Sequence, residues 1–266
     1  MTPLAVLLAT VIGLVLGLLG GGGSILAVPA LTLLLHFTPK EAVVISLSMV
    51  AVAALAGAVG AFFRGTLPLA TGLTVGMAAT AGAVVGGFAG AHLADATQLR
   101  MLGMVMLVAA ALMLRRPVIH PAPAERRSLA VMLLLGFPLG MLTGLIGVGG
   151  GFLIVPALVI VAGLPMREAA GASLVVITMA AVSGLTGYLG NTPLALSFVI
   201  PFALLAAAGT LAGGAIAHRL PQHRLQQVFA ATLVVLGSYV LIRSRAEESS
   251  CSATVSMNRR LRKPAI

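Results

Sequence analysis

Read as a pattern of apolar and polar positions, the chain is a series of long apolar runs: 4–19, 25–35, 42–63, 67–91, 101–114, 129–141, 152–161, 169–189, 194–217 and 228–242. A bilayer hydrocarbon core about 30 Å thick asks for roughly 20 consecutive apolar residues in a helix. The runs that begin at Ala42, Leu67, Ala169 and Leu194 meet that length outright. No polar stripe recurs at helical period within them, so these helices must face lipid or one another. The pattern predicts an all-α, polytopic integral membrane protein.

Charges mark the same boundaries. Lys40, Glu41, Arg64, Asp95 and Arg100 stand at run ends, as do Arg167, Glu168, Arg219 and Arg224. A charge at the bilayer centre costs at least ~2.5–3.5 kcal/mol on insertion scales, which accounts for that placement. Composition agrees. The chain is 59% apolar and 8% charged, where soluble proteins carry roughly 25% charged residues. A disordered chain, a coiled coil and a nucleic-acid binder are thereby excluded. The net charge of +10 fits basic loops and tails beside a membrane, and with no Trp and two Tyr there is no basic stripe interleaved with aromatics. The single Cys251 lies in a polar tail without zinc or redox spacing, and no cofactor or metal is expected.

The chain also repeats itself. Gly17 to Leu31, GLLGGGGSILAVPAL, returns as GLIGVGGGFLIVPAL from Gly144 to Leu158. Continued without a gap, that register pairs Glu41 with Glu168, Ser46 with Ser173, Gly57 with Gly184, Gly82 with Gly209, Gly86 with Gly213 and Arg116 with Arg243. So long a register is not shared composition but an internal duplication. The expected organisation is a first membrane repeat over 1–115, a basic Pro-rich linker over 116–127, a second repeat over 128–243 and a polar, disordered tail over 244–266. The run 4–19 is expected to be a permanent helix rather than a signal peptide, since its counterpart lies mid-chain.

Between the first two runs of each half lies a glycine cluster: Gly20, Gly21, Gly22 and Gly23, then Gly147, Gly149, Gly150 and Gly151. A continuous helix over 4–35 would measure about 48 Å, and each glycine inside it costs roughly 1 kcal/mol. A break is therefore expected, with short helices restarting near Ser24 and Phe152. Non-helical backbone at membrane depth survives only inside protein or beside a wet cavity. A half-helix starting there aims free N–H groups and a positive dipole end at that cavity, which suits an anion. Matched breaks in two halves are the sequence pointer to a secondary-transporter site. The plainer reading is that the glycines only permit tight helix crossing. A nucleotide-binding loop is disfavoured because no Gly-Lys-Ser/Thr follows either cluster.

The duplicated G-x-x-G-x-G-G-[GS]-x-L-x-V-P-x-L resembles the signature of the sulfite exporter TauE/SafE family, also called the 4-toluene sulfonate uptake permeases. The resemblance spans both repeats, 4–242. It implies a permease for sulfur-containing or organic anions such as sulfite, sulfonates or sulfoacetate. Its motif positions here are Gly20 to Ser24 with Pro29, and Gly147 to Phe152 with Pro156. Ser24 is matched by Gly151, so a hydroxyl from both half-helices is not available and backbone donors carry more of the binding.

Other polar residues have two readings each. Glu41 and Glu168 are first-turn acids complementing helix N-termini or, less favoured, proton-coupling carboxylates. Ser46 and Ser173 face the site or bond a neighbouring helix. Arg64, matched by Asn191, reads as an interfacial anchor in preference to a substrate clamp. Four crossings per half would make the repeats parallel and five would invert them. The paired breaks incline to five, and counting basic residues leaves orientation open.

The function expected is a cell-membrane secondary transporter of a small anion. An anion channel, an intramembrane enzyme using Ser24, and a structural scaffold are the alternatives; no His or Lys occupies a run centre to activate Ser24, and a scaffold leaves the matched breaks unexplained. Expected partners are the lipid bilayer, a small anionic substrate, a coupling proton or other ion, and, as an open option, a second copy in a homo-oligomer; no nucleic acid is expected.

Overall fold

The computed structural model describes residues 3–21, 23, 27, 30–31, 34–37, 39–90, 95–115, 129–146, 151–160, 162–186, 196–239 and 241. Every regular element among them is a helix. These are α1 (Pro3–Leu19), α2 (Pro39–Phe63), α3 (Leu69–Gly90), α4 (Asp95–Arg115), α5 (Leu129–Ile146), α6 (Gly151–Ile160), α7 (Met166–Thr186), α8 (Leu196–Arg219) and α9 (222–239). Between α1 and α2, positions 23, 27, 30, 31 and 34 are helical.

The helices long and apolar enough to cross a bilayer lie in α2, α3, α7 and α8, the runs that met the required length in the sequence. Outward-facing positions are greasy: Phe63 of α2 is 82% exposed and Leu134 of α5 is 76% exposed. Such side chains facing outward fit a lipid surface and not water. Helices α4 and α9 begin well before the apolar runs assigned to them, taking in Asp95 and Arg100 or Gln222 and Arg224. Hydropathy ends where polar residues begin, whereas a helix continues through a polar turn outside the hydrocarbon.

Helix directions follow from which residues face each other. A Cβ built on Gly13 would meet the Ala206 carbonyl oxygen at 2.1 Å, and one on Gly213 would meet that of Leu14 at 2.2 Å. Thus α1 and α8 touch backbone to backbone and run parallel. In the other half, a Cβ on Gly140 would meet Ala79 at 1.9 Å and one on Gly86 would meet Met141 at 2.0 Å, so α5 and α3 do the same. These contacts correspond residue for residue under the register that pairs Gly17 with Gly144. On α2, Gly57 faces Leu174 while Gly171 of α7 faces Ala61 and Thr66, so α2 and α7 run antiparallel. Gly103 of α4 faces Gly237 and Leu241, and Gln226 donates to the Met113 carbonyl, so α4 and α9 are antiparallel too. Helices α2 and α8 run parallel through Gly57 with Thr210 and Gly60 with Leu211. Helix α3, folded back from α2, runs parallel to α7 through Gly72 with Val175 and Gly76 with Met179. Helices α1, α2 and α8 therefore point one way, and α3, α5 and α7 the other. Corresponding helices of the two halves are opposed.

Since α1 and α2 run the same way, the chain between them doubles back. Gly23 lies against Ile12 and Leu16 of α1, on that return. Its end carries a second matched detail. Phe37 N–H donates to the Leu31 carbonyl with His36 at φ 56°, and Leu164 N–H donates to Leu158 with Gly163 at φ 54°. The exposed His36 thus occupies a left-handed turn that its counterpart fills with glycine. Thr74, Thr80, Thr178 and Thr210 each donate to the carbonyl four residues back, at 2.8–2.9 Å, and the Thr210 hydroxyl also lies 3.1 Å from the Gly13 carbonyl of α1.

The crossings depend on absent side chains, because membrane helices associate through close van der Waals packing of small residues. Gly13→Leu or Gly140→Leu is expected to destabilise the protein by roughly 1–3 kcal/mol or more through overpacking. Leu134→Ala on the outer face should leave the melting temperature in detergent micelles near the parent value. Thermal unfolding of the three variants checks this.

Candidate functional site

The first break begins where α1 ends. Gly20 N–H donates to the Leu16 carbonyl at 2.8 Å and Gly20 adopts φ +71°, a left-handed cap that stops the helix. The freed Gly20 carbonyl is not left bare. It accepts a hydrogen bond from the hydroxyl of Ser173 on α7, a fully buried side chain that also lies 2.7 Å from its own Ala170 carbonyl. Gly20 packs so closely on α7 that an added Cβ would sit 2.5 Å from the Ala170 Cα. The Ser173 hydroxyl thus bridges α7 to the end of α1. Ser46 holds the matching place on α2 and is buried at 5% exposure, while Gly147, the counterpart of Gly20, lies outside the described residues.

The two breaks meet. A Cβ built on Gly151, the first residue of α6, would lie 3.3 Å from the Gly21 Cα and 2.5 Å from the Ile177 side chain in mid-α7. Gly21 and Gly23 are buried. Phe152 is helical, and its side chain lies outside the described residues, as do Gly22, Ser24, Pro29, Gly149 and Gly150 altogether. Pro156 is buried within α6. The Gly151 end of α6 lies at this junction, and an α-helix carries its positive dipole at that end.

Glu41 and Glu168 occupy the first turns of α2 and α7 and are half-buried. That is where a carboxylate complements a helix N-terminus.

Beside the junction lies a cavity that sequence reading did not assemble, with ≈ 420 Å³ of atom-free space including its mouth. Its walls come from α1 (Gly17), α2 (Gly57, Ala61), the turn after it (Arg64, Thr66), α7 (Arg167, Ala170), α8 (Thr210, His218) and α9 (Leu225). Ala170 joins it to the break, because Gly20 packs on the same residue. The Arg64 guanidinium lies over Gly60 and Gly214, where a Cβ on Gly214 would meet Nη2 at 2.6 Å. Arg167 donates through Nη2 to the Leu220 carbonyl at 2.7 Å, while its Nε is buried without a partner. An unpaired buried donor costs about 1–3 kcal/mol. Among the described residues no carboxylate pairs with either guanidinium. The pair was invisible in the sequence because Arg64 and Arg167 end different runs. Only the antiparallel packing of α2 on α7 brings the C-terminus of one to the N-terminus of the other. The described residues hold no cluster of His, Cys, Asp or Glu suited to a metal.

A family model described as Sulfite exporter TauE/SafE matches residues 5–240. A "Probable membrane transporter protein" of Xylella fastidiosa (strain Temecula1) is 31% identical over 246 residues, covering 88% of this chain and 93% of the relative. The Bacillus subtilis "Probable membrane transporter protein YdhB" is 28% identical over 90% of this chain and 99% of its own. The Methanocaldococcus jannaschii "Probable membrane transporter protein MJ0441" is 26% identical over 90% and 95%. No solved structure matches.

Ser173→Ala removes the donor that crosses to Gly20 and is expected to cost about 1 kcal/mol. Thr178→Ala removes a hydroxyl bonded only within its own helix and should cost little. Unfolding midpoints of the two variants in mixed micelles, compared with the parent, test the difference; equal values would contradict the bridging role.

Proposed function

The chain belongs to the sulfite exporter TauE/SafE family, and from that premise we propose that this multi-pass membrane transporter is a secondary permease for a small anion, sulfite or another sulfur-containing or organosulfonate anion, bound between the two glycine breaks. The observation that carries the reading is the meeting of the breaks, with Gly151 set against Gly21 beside α7. Helix termini interrupted at membrane depth offer backbone N–H groups to an anion without the desolvation cost of a buried lysine or arginine. The family description supports a sulfur oxyanion as cargo.

Opposed halves suit alternating access, because rocking one half against the other opens the shared centre first to one side and then to the other. The sequence holds no P-loop for ATP, so the driving force is an ion gradient or the gradient of the substrate itself. Of the two readings of Glu41 and Glu168, at matched helix starts, proton coupling is the one a proton-driven permease would use. The same geometry also serves an anion channel. Saturable countertransport belongs to the permease, and unitary currents without it belong to the channel.

Gly151→Leu drives a side chain into Ile177 and the opposing Gly21. It is expected to reduce sulfite flux into reconstituted vesicles at least tenfold while the protein still inserts and elutes as a folded species. Flux equal to the parent would count against binding at the breaks.

A further inference from the structure

We propose that the cavity lined by Arg64 and Arg167 is a separate anion subsite, a vestibule that admits small oxyanions with two negative charges to one mouth of the permease. The proposal rests on the permease reading for what happens next, but its own grounds are different. Two guanidiniums line one cavity, and among the described residues neither is neutralised by a carboxylate. Arg167 keeps a buried Nε–H with no acceptor after Nη2 has bonded Leu220. Guanidinium forks match oxyanions through paired N–H donors.

Glycine makes the seat. On Gly214 the atoms an added Cβ would meet all belong to the Arg64 guanidinium, so the missing side chain on α8 is what lets that group lie in the groove. The duplication shows that the feature is one-sided. Under the register that pairs the halves, Arg64 corresponds to Asn191 and Arg167 to Lys40, and Thr210 to Ala83. Two arginines on one side answer to a single lysine on the other. The doubly cationic set selects for charge. A phospholipid headgroup offers the same oxyanion chemistry. A dissolved ion is favoured because the walls come from five helices of the bundle, α9 contributing Leu225, and reach inward to Gly17 and the fully buried Thr210.

Equilibrium binding of radiolabelled thiosulfate, a dianion, and methanesulfonate, a monoanion, to the full chain in phosphatidylcholine nanodiscs tests the proposal. Arg64→Gln and Arg167→Gln should each weaken thiosulfate binding about tenfold or more and methanesulfonate binding much less. Gly214→Ala, which keeps both arginines and favours the helix, should weaken thiosulfate binding by displacing Arg64, and Arg64→Lys should restore part of what Arg64→Gln loses. Gly151→Leu should still bind thiosulfate here even though it does not transport. Arginine-dependent binding in a parent protein without flux would uphold the vestibule while removing the permease reading. Thiosulfate affinity unchanged in all three variants, or absent in the parent, overturns the vestibule and leaves transport through the breaks untouched. Retention of phosphatidylglycerol that depends on both arginines and is not displaced by thiosulfate overturns it in favour of a lipid site.

Discussion

A backbone carbonyl freed inside a membrane must find a donor within the protein, and the fold is arranged around meeting that demand at the end of α1. Gly20 turns left-handed, its carbonyl emerges from the helix, and the buried Ser173 hydroxyl of the opposite half receives it. An unsatisfied group in hydrocarbon costs several kcal/mol. The break thus ties one half of the chain to the other. It persists because α7 passes close enough for Gly20 to rest on Ala170.

The same economy of side chains recurs at the crossings. Helix α1 of the first half packs on α8 of the second, and α5 of the second packs on α3 of the first, each through carbonyl-to-glycine contacts at matched positions. Each half completes its packing only with the other. An exchanged, opposed pair of this kind has a centre that neither half owns, and that centre is where Gly21 and Gly151 approach.

Much of this was legible in the sequence. The four long spans, the break after Leu19 and the short helix restarting at Gly151 follow from run length and glycine placement, because each depends on local chemistry. Less local facts were hidden. Helices α4 and α9 extend through Asp95, Arg100 and Arg224, which hydropathy excludes. The direction of the halves escaped a count of basic residues, since the charges near the spans are few and evenly dealt; it became visible only through facing pairs such as Gly57 with Leu174 and Gly171 with Ala61. The left-handed turn that the exposed His36 fills is a backbone requirement that periodicity does not register. The joining of Arg64 with Arg167 is the extreme case, as two residues about a hundred positions apart share a cavity only once the inversion is known.

The central claim is that the two breaks form one anion site. Its most direct measurement is anomalous diffraction from crystals of the protein soaked in selenite, a heavier analogue of sulfite. The account predicts a selenium peak at the junction of Gly21 and Gly151, within hydrogen-bond distance of the first-turn amides of α6. Unbroken helices through both glycine clusters, with selenium absent from the space between them, would contradict it.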